Sequence, residues 1–529
     1  MPKHRIKHVI TRFAMVLADL QNGFLRGYIA TNTNTNNKQM LSEDIMSTDT
    51  TAKDDQETPR PSLKATMIPI VFMAASLGVF IGYFETDPHL PLFLSAIVAT
   101  VVAIATGSRW KQLEAGIMRS IGLTTQAIVI LIIIGTIIGY WIAGGIVPTM
   151  IYYGLSILAP DYFLVAACLI CCLVSLAGGN AWTAAGTIGI ALMGVGEGLG
   201  LNPAMVAGAV ISGVYFGDKI SPLSETTNMA PGVVGVDLFE HIRYMLYTTV
   251  PALAVALVLY TIIGLNMTPS GDGATQVAEL QQSLNELFII SPWLLLVPAA
   301  VIVMMIKKVP AIPALSVGSL MGIVCAIVVQ DVPLGDSFTI FVEGYAVDTG
   351  NVTVDELLTN GGVSAMMWTV SLIIIAMSFG GILESAGFFR TIVESLLKLA
   401  KTTGSLIATT VATSMAANVV GCDQYLSIIL PARMYANEYR RRSLKLKNLS
   451  RTVEDAGTMT SPLVPWNTCG AFMFATLGVS AFSYAPYAFL ALLSPMFALL
   501  YGFTGFRIAY EDDPQTAGND AGLAGARSA

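Results

Sequence analysis

Acidic, basic and hydroxyl side chains are concentrated in one short segment, GDKISPLSETTNMAP, which runs from Gly217 to Pro231. It contains two carboxylates, Asp218 and Glu225, and an amine, Lys219. The hydroxyl and amide side chains that we assign to the same site are those of Ser221, Ser224, Thr227 and Asn228. Carboxylate, hydroxyl and carbonyl oxygens are the ligands that small, hard cations prefer in proteins. The segment therefore predicts a cation site, with Lys219 as its counter-charge or as a proton carrier.

A second segment, AGTMTSPLVPWNTCGA, has a related pattern between Ala456 and Ala471. Its Ser-Pro-Leu at 461–463 matches the Ser-Pro-Leu at 221–223, and two upstream stretches match in the same order. This common order predicts a duplicated chain. We expect oxygen atoms of the second copy to complete the site, namely those of Thr458, Ser461 and Asn467.

The composition of the chain is that of a membrane protein. Of its 529 residues, 54% are hydrophobic and only 12% are charged, whereas soluble domains carry about 25% charged residues. The apolar runs predict about 14 helical spans. Lys and Arg lie at alternate ends of these runs, which places both termini in the cytoplasm. Since each half contains an odd number of spans, we predict an all-α polytopic membrane protein with two inverted-topology repeats, as in secondary transporters.

Proline interrupts both polar segments, at Pro222 in the first and at Pro462 and Pro465 in the second. A proline within a helix leaves the carbonyl four residues earlier without its hydrogen bond, and it disfavours helical geometry in the residue before it. In a membrane, such a break survives only where it lines a cavity or a site. Each half is therefore predicted to contain a helix broken at the midplane.

The predicted organisation has five parts. They are a disordered cytoplasmic segment (1–63), transmembrane repeat 1 (64–264), an extracytoplasmic linker (265–287), transmembrane repeat 2 (288–505) and a disordered cytoplasmic tail (506–529). Met46 is a second candidate start, so the sequence leaves open whether residues 1–45 belong to the mature protein.

Four further acids lie within the apolar runs or at their ends. Asp423 is assigned to the ion site or, in the other interpretation, to the N-cap of a helix. Glu454 and Asp455 open the second broken helix, where they are either first-turn acids that the helix dipole favours or acids that line the cytoplasmic entrance. Glu384 lies on a glycine-rich run, and we assign it as an accessory acid together with Glu454 and Asp455.

No catalytic motif accompanies these residues, since the sequence has no H-E-x-x-H, G-x-S-x-G or P-loop pattern. We therefore expect neither enzymatic activity nor a cofactor. The other interpretation of the segment at 217–231 is a solvated cytoplasmic loop, because Ser, Thr, Asn and Pro are ordinary loop residues. The related stretch TSPLVPWNT is uncharged and is flanked by apolar sequence, which favours the ion site.

Four stretches resemble the NhaC family of sodium/proton antiporters, and they lie within residues 64–505. These stretches are GAVISGVYFGDKISPLSETTNMAP, DLFEHIRYMLYTT, DQYLSIILPARMY and LSRTVEDAGTMTSPLVPWNTCGAFM. The resemblance implies exchange of external protons for internal sodium in a bacterial inner membrane. Some members of the family exchange dicarboxylate and lactate instead, with coupled protons and sodium. The family often has aspartate where this chain has Glu225, and more hydroxyls around Asn180.

The function predicted from these features is exchange of Na⁺ for protons by alternating access, with carboxylates that bind either ion. The alternatives are sodium- and proton-coupled exchange of small organic acids, for which Lys219 and Arg433 are the available cations, and a channel or a membrane enzyme. The expected partners are membrane lipid and small inorganic cations, without nucleic acid. A homodimer is left open.

Overall fold

Helices are the regular secondary structure of the part of the chain that the computed structural model describes, which is residues 61–266, 273–349 and 352–511. Within these ranges it forms no strand, and its isolated bridges join Tyr345 to Asn360 and Leu444 to Tyr510. The all-α prediction is confirmed for this part of the chain. Most of the two predicted terminal segments, residues 1–60 and 512–529, lies outside the described residues.

The first half of the chain forms ten α-helices, and a π-helical segment at Ala185–Gly189 joins α6 to α7. The ten helices are α1 (Leu63–Gly82), α2 (His89–Ala105), α3 (Trp110–Ala143), α4 (Ile146–Ile157), α5 (Pro160–Gly178), α6 (Ala181–Ala184), α7 (Ile190–Gly198), α8 (Pro203–Ile220), α9 (Glu225–Val234) and α10 (Leu238–Asn266).

The predicted linker at 265–287 is mostly helical, because α11 (Gly273–Leu287) occupies it. The remaining helices are α12 (Leu296–Ile306), α13 (Ala311–Val328), α14 (Leu334–Glu343), α15 (Val352–Leu358), α16 (Gly362–Ser385), α17 (Phe388–Leu397), α18 (Thr403–Val420), α19 (Gln424–Arg441), α20 (Lys447–Val453), α21 (Thr468–Leu477), α22 (Ala481–Tyr484) and α23 (Phe489–Thr504).

Seven of the described helices are long and apolar enough to cross a membrane, and the number rises to nine if each of two bent helix pairs counts as one span. The seven are α1, α3, α5, α10, α13, α16 and α18. The bent pairs turn by 92° between 277–287 and 292–306 and by 91° between 468–477 and 481–487. The chain is therefore a polytopic membrane protein, in which several predicted spans fold as shorter or broken helices.

Large apolar side chains face outward while small polar and charged side chains are buried. Val101 and Leu173 are 61% and 68% exposed, whereas Lys219, Thr248 and Ser494 are fully buried. This distribution suits a protein whose solvent is lipid, because charged side chains in such proteins face the interior of the helix bundle.

The first predicted break is confirmed between α8 and α9. Helix α8 ends at Ile220, and Ser221 takes an extended conformation immediately before Pro222. Ser224 then caps α9, because its side chain accepts from the backbone N–H of Thr227. A Ser at this position satisfies a backbone donor that has no partner within its own helix.

The second predicted break is confirmed as a longer interruption between α20 and α21. Helix α20 continues into a π-helical segment at Glu454–Thr458, and a 3₁₀ turn follows at Ser461–Leu463. The chain is extended at Val464, and Asn467 caps α21. Single π-helical turns within α-helices are frequent at functional sites.

Helices α3 and α16 pack closely and run antiparallel. A Cβ atom on Gly116 would lie 2.6 Å from the Cβ of Ser385, and one on Gly135 would lie 2.4 Å from the carbonyl oxygen of Gly362. The first contact is near the start of α3 and the end of α16, and the second is near the opposite ends. Since a helix rises about 1.5 Å per residue, the contact covers roughly 28 Å, close to the hydrocarbon thickness of a bilayer.

The chain after α23 is attached to the helices through residue 511. The amide of Lys445 donates to the carbonyl of Ala509 (3.0 Å), and the amide of Glu511 donates to the carbonyl of Ser443 (2.9 Å). The segment predicted as a disordered tail from 506 onward is therefore ordered over its first residues.

The contact between α3 and α16 leads to a stability prediction for Gly381→Ala. The new Cβ would lie 2.6 Å from the carbonyl oxygen of Gly116 and 2.8 Å from the hydroxyl of Ser120. Overpacking of this kind destabilises by about 1–3 kcal/mol. We expect a lower melting temperature of the purified protein in detergent.

The matched control is Gly78→Ala on α1, where a Cβ atom would meet nothing within 4 Å. This variant should melt at or slightly above the temperature of the parent, since Ala favours helices over Gly. Equal melting temperatures for the two variants would contradict the close approach of α3 and α16.

Candidate ion-binding site

Asp218 lies in the last turn of α8, directly before the first break, and is 8% exposed. Its carboxylate interacts with the hydroxyl of Ser224, the cap of α9, and with the backbone N–H of Ala181 at the start of α6. Three chain segments therefore meet at this carboxylate. The sequence interpretation placed Asp218 and Ser224 in one site, and the structure brings them together.

Side chains satisfy most of the backbone carbonyls that the first break frees. The hydroxyl of Thr227 is 3.0 Å from the carbonyl oxygen of Asp218 and 2.9 Å from that of Lys219. The amide of Asn228 donates to the carbonyls of Pro222 (2.9 Å) and Ser224 (2.6 Å). Thr227 and Asn228, which the sequence suggested as ion ligands, therefore hold the broken ends together.

Glu454 brings a second buried carboxylate to Asp218. It is the first residue of the π-helical segment, it is fully buried, and neither of its carboxylate oxygens has a hydrogen-bond partner among the described residues. Its neighbours are the hydroxyls of Thr226 and Thr458 and the charges of Asp218 and Lys219. The Thr458 hydroxyl is also buried without a partner. Glu454, assigned from sequence as an accessory acid, therefore faces the first break directly.

The amine of Lys219 pairs with Asp455 rather than with Asp218. Both side chains are fully buried, and the amine also donates to the hydroxyl of Ser494 (2.6 Å). The same carboxylate oxygen of Asp455 accepts from the hydroxyls of Thr248 (2.9 Å) and Ser494 (3.1 Å). The Lys219–Asp455 pair joins the broken helix of the first half to that of the second.

The guanidinium of Arg451 completes this buried ionic group. Its Nε is 4.0 Å from the second carboxylate oxygen of Asp455. The guanidinium also lies over the ring of Tyr244, 4.3 Å from its centroid, and donates to the carbonyl of Arg507 (3.2 Å). Asp455 is thus flanked by two cations.

Asp423 belongs to a separate polar cluster around the start of α21. One carboxylate oxygen accepts from the amide of Leu426 (3.0 Å), so Asp423 caps α19, and the other is 3.4 Å from the hydroxyl of Thr468. The side-chain amide of Asn467 donates to the backbone carbonyl of Asn418 (3.1 Å). The capping interpretation of Asp423 therefore holds, and its second oxygen still faces another polar group.

The remaining predicted site residues make other contacts. The hydroxyl of Ser221 donates to the carbonyl of Leu176 (3.1 Å), and that of Ser461 donates to the carbonyl of Thr458 (2.8 Å). Glu225 is exposed and accepts from the hydroxyl of Tyr425 (2.6 Å), and it is also a charged neighbour of Asp218.

Glu384 is half-buried, and Arg119 and Arg433 lie near it. The carboxylate of Asp423 is also a charged neighbour of Glu384, so Glu384 lies on the side of the Asp423 cluster.

Sequence reasoning missed several of these contacts. Thr226 and Thr458 approach Glu454 from different halves, and Thr248 and Ser494 bind the Lys219–Asp455 pair from two further helices. One of the contacts had a local signal in the sequence. Arg451 lies four residues before Asp455, a spacing that places both side chains on one face of a helix and so indicates an ion pair.

No three His, Cys, Asp or Glu side chains converge as a metal site within the described ranges. A sodium site here would therefore combine one or two carboxylates with hydroxyl and carbonyl oxygens. Asp218 and Glu454, with the hydroxyls of Ser224, Thr226 and Thr458, supply that set of donors.

The buried ion pair leads to a stability prediction. Lys219→Met removes the cation that bonds Asp455 and leaves this buried carboxylate with Arg451 alone, 4.0 Å away, and breaking a buried pair costs up to about 3–5 kcal/mol. We expect a large fall in the melting temperature of the purified protein.

The double variant Lys219→Met/Asp455→Asn removes both charges and keeps a side chain that can bond Thr248 and Ser494. It should recover part of the loss, because the buried guanidinium of Arg451 then lacks its carboxylate partner. A single variant as stable as the parent would contradict the pairing.

Comparison with known proteins identifies the family. Residues 213–506 match the model described as the Na⁺/H⁺ antiporter family. The chain is 40% identical over 448 residues to the Na(+)/H(+) antiporter NhaC of Alkalihalophilus pseudofirmus, which covers 84% of this chain and 96% of that relative. It is 37% identical over 434 residues to the Na(+)/H(+) antiporter NhaC of Bacillus subtilis, with 82% and 96% covered.

A further relative is the malate-2H(+)/Na(+)-lactate antiporter of Bacillus subtilis, which is 36% identical over 456 residues and covers 85% of this chain and 97% of its own. The relatives are thus transporters rather than enzymes. Both broken-helix segments and the carboxylates that face each other across them lie within the matched residues. The resemblance seen in the sequence is confirmed, and the chain belongs to the Na⁺/H⁺ antiporter family that includes NhaC.

Proposed function

We propose that this protein exchanges Na⁺ for protons by alternating access, at a centre formed by Asp218 and Glu454. The observation that carries the proposal is the pair of buried carboxylates supplied by the two broken helices, one of which has no hydrogen-bond partner among the described residues. An ionised carboxylate without a partner is strongly unfavourable in a low-dielectric interior. Such a group takes up either a proton or a cation, and the two compete for it.

The donor set of this centre suits sodium. Hydroxyl side chains from both halves, those of Thr226 and Thr458, lie beside Glu454, and the hydroxyl of Ser224 lies beside Asp218. Neutral oxygen ligands replace part of the hydration shell of a cation, whereas a proton needs only one carboxylate oxygen. One site can therefore hold either ion in turn without any change in its covalent chemistry.

The Lys219–Asp455 pair supports a cation rather than an organic anion as the substrate. Lys219 is paired with Asp455 in this interior, so this amine is not free to bind the carboxylate of a substrate. Arg433, the other cation considered, is exposed and lies near Glu384. Exchange of small organic acids is the alternative function, and a transport assay with added malate or lactate tests it.

Inverted-topology repeats would account for the repeated local geometry of the two halves. Left-handed Gly145 and Gly387 precede α4 and α17, and left-handed Gly179 and Cys422 precede the capping residues of α6 and α19. Helices α9 and α21 both have 10 residues and end at a left-handed glycine. The antiparallel contact of α3 with α16 is what such an arrangement requires of equivalent helices.

The helix caps favour an alignment of the two halves that differs from the alignment given by the Ser-Pro-Leu match. The spacing that places Ser224 on Asn467, the caps of α9 and α21, also places Gly235 on Gly478 and Pro222 on Pro465. The match of Ser-Pro-Leu had placed Pro222 on Pro462 instead. We propose about 14 spans in two inverted halves, with both termini in the cytoplasm of a bacterial cell.

This topology is testable by labelling with a membrane-impermeant maleimide. Asn285→Cys in α11 should be labelled in intact cells, because we place the linker outside. Arg440→Cys at the end of α19 should be labelled only in everted vesicles. The unmodified chain, whose six cysteines are buried or half-buried, controls for background. Labelling of both variants from the same side would refute the inverted arrangement.

The exchange itself is testable in proteoliposomes that contain a pH-sensitive dye. An inward sodium gradient should drive proton efflux by the parent protein with NaCl alone. Asp218→Asn and Glu454→Gln should each reduce this flux to background, because either change removes a charge that the cation must neutralise. The matched control is Glu343→Gln at the exposed end of α14, which should transport like the parent.

Further arms of this assay separate the alternatives. Flux that requires malate or lactate in addition to NaCl would replace the proposal with organic-acid exchange. Absence of ²²Na⁺ counterflow would favour a channel over alternating access. Normal flux in Asp218→Asn and Glu454→Gln would show that the exchange site lies elsewhere.

A further inference from the structure

Tyr215 has a buried hydroxyl that no described residue satisfies. The side chain is fully buried on α8, and its hydroxyl oxygen has no hydrogen-bond partner among the described residues. Residues three and four apart share a face of a helix, so Tyr215 lies on the same side of α8 as Asp218 and Lys219. The sequence analysis did not select it, because it stands within an apolar run.

Groups of the second half surround this hydroxyl. The thiol of Cys469, at the start of α21, and the hydroxyl of Ser461, in the second break, lie beside it, and Asp218 is its charged neighbour. Cys469 donates instead to the side-chain oxygen of Gln424 (2.7 Å) and Ser461 to the carbonyl of Thr458 (2.8 Å), and neither forms a hydrogen bond with the Tyr215 hydroxyl. The phenol oxygen thus stands between the two broken helices without a partner of its own.

A purely structural tyrosine in this protein looks different. Tyr260 is also fully buried, but its hydroxyl bonds Ser212 (2.8 Å) and the carbonyls of Gly208 (2.9 Å) and Tyr487 (2.7 Å). Buried hydroxyls without a partner are disfavoured. The unsatisfied Tyr215 hydroxyl therefore marks a place where a further polar species belongs.

We propose that the Tyr215 hydroxyl is a ligand of the transported sodium ion and thereby sets the affinity for Na⁺. The inference rests on the proposed exchange at Asp218 and Glu454. A neutral phenol oxygen can supply a lone pair to a bound cation. A proton is held by the O–H bond of the carboxyl group itself and does not need the phenol oxygen as a ligand. Its removal should therefore weaken sodium binding selectively and leave proton binding in place.

The test is Tyr215→Phe, assayed as sodium-driven proton flux in proteoliposomes. Loss of one neutral ligand should raise the KM for Na⁺ by roughly five- to tenfold. The maximal rate at saturating NaCl and its dependence on pH should stay close to those of the parent. Choline chloride replaces NaCl to keep the ionic strength constant.

Melting of the purified protein gives a second readout that does not depend on transport. Without sodium, Tyr215→Phe should melt at or above the parent temperature, because the variant removes a buried polar atom that lacks a partner. The upward shift that NaCl produces in the parent should be smaller in the variant, since a ligand stabilises in proportion to its occupancy. A purely structural role for Tyr215 would produce the opposite result in the absence of sodium.

Tyr260→Phe is the matched control. It should lower the melting temperature with and without sodium and leave the KM for Na⁺ unchanged. An unchanged KM and a parental sodium shift in Tyr215→Phe would overturn the proposal for Tyr215 alone. Failure of the proposed function would appear separately, as absence of sodium-driven flux in the parent protein.

Discussion

The buried pair between Lys219 and Asp455 connects the two broken helices of this protein. Neither side chain is exposed, and hydroxyls from α10 and α23 bind the pair from the sides. A buried pair of this kind resists disruption, because removal of one partner leaves an uncompensated charge in a medium that cannot solvate it. Because Lys219 is bonded to Asp455, neither Asp218 nor Glu454 forms an ion pair with it.

The polar groups at the two breaks fall into two sets with different roles. One set satisfies backbone, as Thr227 does for the end of α8, Asn228 for the turn and Asn418 for the carbonyl of Gly457. The other set has no partner among the described residues and includes Glu454, Thr458 and Tyr215. In the interior of a membrane protein, the first set permits an interrupted helix, and the second set supplies the unpartnered oxygens on which the proposed ion site rests.

The helices around the breaks provide a rigid frame at the scale of the membrane. Glycines along α3 and α16 let the two backbones approach over roughly the thickness of the bilayer core. The left-handed glycines Gly235 and Gly478 end the short helices α9 and α21, whose first turns lie at the two breaks. The proposed ion site therefore lies at the ends of short helices that pack among longer ones.

The sequence by itself determined the membrane class, the helical fold, the family and the positions of both breaks. Those features follow from local signals, since apolar runs, prolines and capping residues act on neighbours in the chain. It also selected the acids of the interior, but it could not assign their partners. From the sequence, Lys219 was predicted to be the counter-charge of the ion site, and Glu454 was predicted to be only an accessory acid.

Only the tertiary structure decided that Lys219 belongs to Asp455, that Glu454 faces Asp218 and that Asp423 caps α19. It also revealed Tyr215, which no pattern in the apolar run distinguishes. The physical reason is separation along the chain, because Lys219 and Asp455 are 236 residues apart. Which charges neutralise each other depends on how the two halves pack, and no local periodicity records that choice.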